Sequence, residues 1–391
     1  MTADRGKDDA TISIPVQDGA APVDRLPSAR GVIALRAPDG RTVAITATAN
    51  CREAARRRLR SGEEGRSIDY TEITAQIDAY PVRSRFESEL EELRLAREFM
   101  PRTYRHLFDR RQTWFLAVDP DADPPAVGRV PTHMLDEALA ASPQMRLLGP
   151  IRDKHKANRG ADAVVDLLDL CRYPRELARA PRGAACAYKE MGRCPAACDG
   201  SESMDAYRTR MLQIVDIVED PGTWRATLDD QMREAASRQA FEEAGAMRRR
   251  AETGASLVDD AGRTWMAPLD RLHVAVVVNI GTEDRVGVLH ASAAGVRPMG
   301  ELPLPEDAEA VSSMLGSLQR ASVSETVGPF TRERADELAL WCAWVYGTHR
   351  DTQFARIDGL GVDDLGAMAA RVASPQEDEP DGDGPDLLTD V

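Results

Sequence analysis

Four of the six cysteines fall within one short stretch of the chain, whereas Cys51 and Cys342 stand alone. The sequence around the four has little helical or strand periodicity, and thiolates on an irregular loop can converge on a soft metal. The spacing lacks the C-x2-C pairs typical of structural zinc, so it favours an iron–sulfur cluster. The alternative is a set of small buried thiols without a cofactor. The four are Cys171, Cys186, Cys194 and Cys198.

The run GRCPAACDG, from Gly192 to Gly200, is followed by a helical pattern that contains Tyr207. This run resembles the signature of the UvrC family of excision nucleases, in which the corresponding cysteines hold a 4Fe–4S cluster. The resemblance implies that Cys186, Cys194 and Cys198 are three of the cluster ligands. Cys171 is a looser match to the fourth, because its gap to Cys186 is longer than the family's usual one.

A helical hairpin is predicted next, within residues 201–255. One helix covers 204–218, the sequence Asp220-Pro-Gly222 interrupts it, and a second helix covers 223–251. The second helix resembles the UVR motif, which in the UvrC family binds a matching motif of UvrB. The alternative is an ordinary helix pair that packs on this chain's own domains. The candidate partner-binding residues are Leu228, Met232, Phe241, Glu242 and Arg248.

Residues 28–118 have the pattern of a small α/β domain. Strand-like runs at 31–36 and 42–46 flank Asp39-Gly40, a strong signal for a hairpin turn. Asn50 can cap the helix that follows. A third strand is predicted at 68–77, and a glutamate-rich helix beyond it ends before Pro101.

This domain resembles a GIY-YIG nuclease, which hydrolyses a phosphodiester with a metal held by one glutamate. Glu92 is the best match to that glutamate, with Glu89 and Glu91 as alternatives on the same helix. The match implies a Mg²⁺ or Mn²⁺ ion only if the nuclease is active. The resemblance predicts an inactive centre, because a lone carboxylate without its proton-transfer and phosphate-binding partners loses most of the rate enhancement. The other catalytic positions fall on Ile33, Ala44, Thr46, Ala54 and Tyr104.

The predicted helix after Asn50 concentrates positive charge in an otherwise acidic protein, whose formal net charge is −15. A strongly acidic chain does not coat nucleic acid non-specifically, so DNA contact requires a local basic face. This helix is the candidate DNA-binding element. The alternative is that its arginines merely solvate a surface helix. They are Arg52, Arg56, Arg57, Arg58 and Arg60.

The length of 391 residues predicts several domains of mixed α+β class. The C-terminal part has strand-like runs at 273–279 and 285–289 and helical runs at 305–320 and 331–347. No apolar run is long enough to span a bilayer, and the N-terminus lacks a signal sequence, so we expect a cytoplasmic protein without a membrane partner. The predicted organisation is a disordered tail (1–27), a degenerate GIY-YIG-like domain (28–118), a linker with the cysteine segment (119–200), a UVR hairpin (201–255), a C-terminal α/β domain (256–373) and an acidic disordered tail (374–391).

These patterns support three hypotheses. The first is a UvrC-like protein of nucleotide excision repair that binds DNA and a partner, with UvrB as the candidate, without efficient incision. The second is a divergent, metal-dependent, structure-specific endonuclease that uses Glu92. The third is an iron–sulfur interaction protein without a DNA role.

Overall fold

The fold is known from a computed structural model, which describes residues 11–60, 70–105, 113–258, 265–325 and 329–373. Within these ranges the strands form three four-stranded sheets, and every strand pair is antiparallel. Helices cover the sheets, so the predicted mixed α+β class is confirmed.

The first sheet has the order β1-β4-β2-β3. The predicted hairpin is confirmed, since Gly40 adopts a φ of +82° at its turn and its N–H bonds the carbonyl of Ala37. The predicted cap is also confirmed, because the side chain of Asn50 accepts a hydrogen bond from the Glu53 N–H. The elements are β1 (Ile12–Pro15), β2 (Gly31–Arg36), β3 (Thr42–Thr48), α1 (Cys51–Arg58), β4 (Gln76–Pro81) and α2 (Arg85–Phe99).

Two predictions for this region are wrong. Residues 11–27 are not a disordered tail, because β1 pairs with β4 and the side chains of Ile14 and Leu26 are fully buried. Residues 1–10 of that predicted tail lie outside the described residues. The third strand was predicted at 68–77, but β4 occupies Gln76–Pro81, and residues 61–69 are not described.

The second sheet has the order β6-β5-β7-β8 and draws on distant parts of the chain. The predicted boundary at residue 118 is wrong, since it cuts through β5. The predicted linker from residue 119 is also wrong, because that stretch supplies β6 and β7, while β8 comes from the predicted C-terminal domain. The elements are β5 (Trp114–Asp119), β6 (Ala126–Pro131), α3 (Leu135–Ala141), β7 (Arg146–Ile151), α4 (Lys154–Leu167) and β8 (Ala267–Pro268).

The cysteine-containing stretch and three long helices follow α4. The predicted second helix of the hairpin, 223–251, is in fact two helices, because one helix ends at Ser237 and another begins at Phe241. Gln239 turns the chain between them with a φ of +60°. The helices that pack as a hairpin are therefore α8 and α9, with α7 before them. The elements are α5 (Pro174–Leu177), α6 (Ala187–Glu190), α7 (Met204–Glu219), α8 (Pro221–Ser237) and α9 (Phe241–Val258).

The third sheet has the order β11-β10-β9-β12. The structure confirms the predicted strands β9 and β10 and the predicted helices α10 and α11. The sequence analysis did not identify β11, β12 and α12. The elements are β9 (Val274–Asn279), β10 (Arg285–Ser292), β11 (Gly295–Pro303), α10 (Ala308–Ser324), α11 (Arg332–Val345), β12 (Thr352–Arg356) and α12 (Val362–Ala373).

Helix α11 lies where the three sheets meet. Trp341 is fully buried in a core that also contains Val32 of the first sheet, Phe115 of the second and Val276 of the third. The sheets therefore share one apolar core, although the sequence analysis treated them as separate domains. Helices that could cross a membrane are absent from the described residues. The predicted acidic tail, 374–391, lies outside them.

Strand β1 provides a test of the corrected N-terminal region. We expect Ile14→Ala to lower the free energy of unfolding by about 2–5 kcal/mol, because it leaves a cavity among buried aliphatic side chains. Ile12 lies on the same strand and is only partly buried, so Ile12→Ala serves as the matched control and should cost less than half as much. The measurement is urea-induced unfolding. Equal losses in the two variants would contradict the burial of β1 described above.

Candidate functional site

The cysteine segment connects α4 to α7. Cys171 follows α4, Cys186 immediately precedes α6, and Cys198 lies in the short 3-10 turn Ala197–Asp199. Cys198 is buried, while Cys171, Cys186 and Cys194 are partly buried, and all four are free thiols. The predicted ligand residues therefore lie on one irregular segment that packs against the second sheet's helices.

Electrostatic coupling shows that these thiols are neighbours in space. Burial raises the pKa of the Cys171 thiol, and the nearby Cys194, Cys198 and Cys186 raise it further. The N–H of Ala196 donates to Sγ of Cys194 at 3.4 Å. Among the described residues, however, no cysteine belongs to a group of three potential ligands whose atoms all lie within 4.8 Å of one another. Four thiolates around a single zinc ion would lie about 3.8 Å apart, so this spacing does not fit one.

The segment is held in place by buried and charged contacts. The Lys189 ammonium lies 2.5 Å from the Asp199 carboxylate, and this hydrogen bond lowers the pKa of Asp199 to about 2. The hydroxyl of Tyr207 accepts the N–H of Cys171 at 3.2 Å. Burial raises the pKa of Tyr207 to about 12, so the hydroxyl stays neutral. The Tyr207 contact fixes the start of the segment relative to α7, and the Lys189–Asp199 pair joins two parts of the segment to each other.

The predicted catalytic positions lie on opposite faces of the first sheet. Ile33, Ala44 and Ala54 belong to the apolar cluster between the sheet and α1. Glu92 lies on α2, which packs on the other face, and its Oε1 accepts the N–H of Ala47 at 3.1 Å. The structure therefore separates Glu92 from Ile33, Ala44 and Ala54. Tyr104, in turn, is buried, and its hydroxyl donates to Asp336 of α11 at 2.9 Å.

Several of the candidate DNA-binding arginines make specific intramolecular contacts. Arg52 donates to the carbonyl of Leu26 at 3.0 Å, and Arg58 donates to Thr46 at 3.2 Å. Arg56 pairs with Asp24 at 2.5 Å and with Glu53 at 3.3 Å. Arg57 and Arg60 are exposed. Much of the positive charge of α1 is thus paired with groups of the first sheet and the segments that pack on it.

The α8–α9 hairpin has an anchored base and an exposed tip. At the base, Trp224 packs so closely on Gly254 that a Cβ there would lie 2.0 Å from its ring. Arg250 of α9 donates to the carbonyl of Leu167 at 3.0 Å. At the tip, Phe241 is 71% exposed.

The candidate partner residues are spread along this hairpin. Leu228 is buried, and Met232 is partly buried. Glu242 and Arg248 are exposed, and Arg248 pairs with Glu252 at 3.1 Å. The candidate set therefore includes both core residues and surface residues.

One group of potential metal ligands was not predicted from the sequence. His273, His290 and Glu325 offer ligand atoms that all lie within 4.8 Å of one another. The three residues are distant in the sequence and show no ligand spacing, so no local pattern could have revealed them. Only the pairing of β9 with β10 and the position of the end of α10 bring them together.

Comparison with known families gives one match. The model of the UvrC/Cho excinuclease middle domain matches residues 126–217, which run from β6 through the cysteine segment to α7. This match shows similarity to a UvrC-type domain over that part of the chain alone. Neither a curated protein nor a solved structure matches the chain.

Gly183 provides a test of the cysteine segment. Its Cβ, if present, would lie 2.6 Å from the Glu176 carbonyl oxygen and 3.0 Å from that of Cys198. We therefore expect Gly183→Ala to displace the loop and to raise the labelling rate of Cys198 by a thiol reagent, measured with chelator present. Gly128→Ala is the control, because no atom lies within 4 Å of its added Cβ. Equal Cys198 labelling in both variants would contradict this packing.

Proposed function

We propose that this protein is a UvrC-like DNA-repair protein that binds DNA and a protein partner, holds an iron–sulfur cluster and does not incise DNA efficiently. The observation that carries the proposal is the match of residues 126–217 to the UvrC/Cho excinuclease middle domain. All four candidate cluster ligands fall within that match. The proposal thus begins from the middle of the chain and extends to the units on either side.

The chemistry of the cysteine segment supports a 4Fe–4S cluster. Four partly or fully buried thiols provide the donors that iron–sulfur clusters require. Their spacing is too wide for one zinc ion, whereas in a 4Fe–4S cluster each thiolate binds a different iron atom. The N–H that Ala196 directs at Sγ of Cys194 is the kind of contact that stabilises a ligand thiolate. When bound, the cluster would supply structural rigidity or redox sensing.

The first unit supports DNA binding without incision. Apolar side chains occupy the positions of Ile33, Ala44 and Ala54, so these three positions provide no group to move a proton or to bind a phosphate. Glu92 accepts a backbone hydrogen bond on the opposite face. A metal bound by Glu92 alone would lack both an acid–base partner and a phosphate-binding cation, so efficient hydrolysis is not expected.

Exposed cations on α1 support a DNA contact. Arg57 and Arg60 present their side chains to solvent, whereas Arg52, Arg56 and Arg58 serve the fold. Because phosphate contacts release counterions, even two such arginines give a measurable salt dependence. This surface is small, which agrees with the acidic balance of the whole chain.

The hairpin tip supports a helical partner. Phe241 exposes a large aromatic surface beside the charged residues Glu242 and Glu243. An aromatic anchor within a polar rim is typical of an interface hot spot. The resemblance of this region to the UVR motif makes the matching motif of UvrB the candidate partner.

A salt series of duplex-binding measurements tests the DNA role. The full chain should bind nicked or bubble duplex with an affinity that falls as salt rises. We expect Arg57→Ala/Arg60→Ala to reduce the slope of log K against log salt by about two, because about one phosphate contact is lost per arginine. Arg233→Ala/Arg238→Ala on exposed α8 positions removes the same charge and should leave the slope unchanged.

Two outcomes of this experiment would contradict the proposal. Absence of binding at low ionic strength would favour an interaction protein without a DNA role. Cleavage of the same duplexes in the presence of Mg²⁺ or Mn²⁺, abolished by Glu92→Gln, would show that the nuclease centre works.

A further inference from the structure

A group of polar side chains is buried beside the third sheet, remote in sequence from the cysteine segment. His290 lies on β10 and is fully buried, and His273 immediately precedes the neighbouring strand β9. Nδ1 of His273 lies 3.1 Å from Nε2 of His290. Glu325, at the C-terminal end of α10, places its Oε2 3.6 Å from Nδ1 of His273. Two imidazoles and one carboxylate therefore converge on one point.

One oxygen of the Glu325 carboxylate lacks a hydrogen-bond partner in the described part of the chain. Its Oε2 is buried and accepts no hydrogen bond from the residues that the structure describes. Buried oxygens of this kind are rare in folded proteins unless an ion, a water molecule or a functional role explains them. A cation between the carboxylate and the two rings would satisfy it.

The geometry fits one metal ion. Two ligand atoms at about 2.0–2.1 Å from a tetrahedral zinc ion lie about 3.3–3.4 Å apart. The measured separations of 3.1 Å and 3.6 Å lie on either side of that value. The backbone of Asp270 hydrogen-bonds His273, and ligand imidazoles are commonly oriented by such an outer contact.

The protonation state of the two imidazole rings is also compatible with metal binding. Burial lowers the pKa of His273, and burial, with the charge of Arg297, lowers that of His290 to about 3. Both imidazoles are consequently neutral at physiological pH, and the neutral ring is the form that coordinates a metal.

Arg297 lies where its positive charge would compete with a bound metal ion. Its Nε donates to Nδ1 of His290 at 3.2 Å, and its Nη2 lies 3.5 Å from Oε1 of Glu325. The hydrogen bond at Nδ1 keeps the proton of neutral His290 on Nε2, the atom that faces His273. Metal binding requires that proton to move to Nδ1, so Arg297 must swing away. Its side chain is 40% exposed, which leaves room for that movement.

We propose that His273, His290 and Glu325 form a binding site for a divalent ion of the zinc type, with Arg297 as its built-in competitor. Three protein ligands leave one coordination position open for water or another ligand. The site uses nitrogen and oxygen donors, so it is chemically distinct from the cysteine segment, and it does not depend on the proposed DNA role.

Cobalt(II) titration of the metal-stripped full chain tests this site. Tetrahedral Co²⁺ with nitrogen and oxygen ligands absorbs visible light without the intense sulfur-to-metal bands that a thiolate site gives. We expect Glu325→Gln to weaken Co²⁺ binding at this site, followed by its nitrogen–oxygen absorption, at least about tenfold. We expect Arg297→Gln to tighten it severalfold, because the competing charge is removed and the amide oxygen can accept the Nδ1 proton of metal-bound His290.

A control variant and the opposite expected changes in Co²⁺ affinity for the two site variants make the test decisive. His155 is exposed and distant from the site, so His155→Gln should match the unmodified chain. Circular dichroism confirms that each variant is folded before titration, and Glu325→Gln and Arg297→Gln avoid altering the buried rings. Equal Co²⁺ affinity in Glu325→Gln and His155→Gln, no gain in Arg297→Gln, or a signal of thiolate type alone would each overturn the proposal.

Discussion

Helix α11 is the element on which the architecture depends, because it contacts all three sheet units with polar bonds as well as apolar packing. The indole of Trp344 donates to Glu89 of α2 at 2.7 Å, and Tyr346, just beyond α11, donates to the carbonyl of Pro150 at 2.6 Å. Glu337 accepts the N–H of Val296 at 2.8 Å. Buried polar groups must find partners, so these bonds fix the relative positions of the units around Trp341.

The candidate functional groups lie away from this shared core. The cysteine segment packs at the far side of the second sheet, the tip of the α8–α9 hairpin is exposed at Phe241, and the exposed arginines of α1 lie at the outer face of the first sheet. The shared core thus leaves these candidate binding elements at the periphery of the molecule. The predicted catalytic positions Ile33, Ala44 and Ala54 are part of the apolar packing of the first sheet instead.

Local signals predicted local structure well. Asp39-Gly40 marked the first hairpin, Asn50 marked the start of α1, and apolar runs marked β9 and α11. Structure that depends on contacts between residues distant in the sequence was not predicted as well. The proline-rich stretch before Ala126 has the composition of a linker but forms the turn between β5 and β6. Strand β1 is short and lies in a polar segment, so only its pairing with β4 reveals it. The His273, His290 and Glu325 group depends wholly on tertiary structure.

We propose that the middle of the chain, which is similar to the UvrC/Cho middle domain, is built around an iron–sulfur cluster, and metal analysis after anaerobic purification tests this most directly. The full chain should contain about four iron and four acid-labile sulfide atoms. Cys198→Ser should lose most of both, whereas Cys51→Ser, at a buried cysteine outside the segment, should retain them. Iron without sulfide, or a colourless, iron-free protein, would contradict the claim.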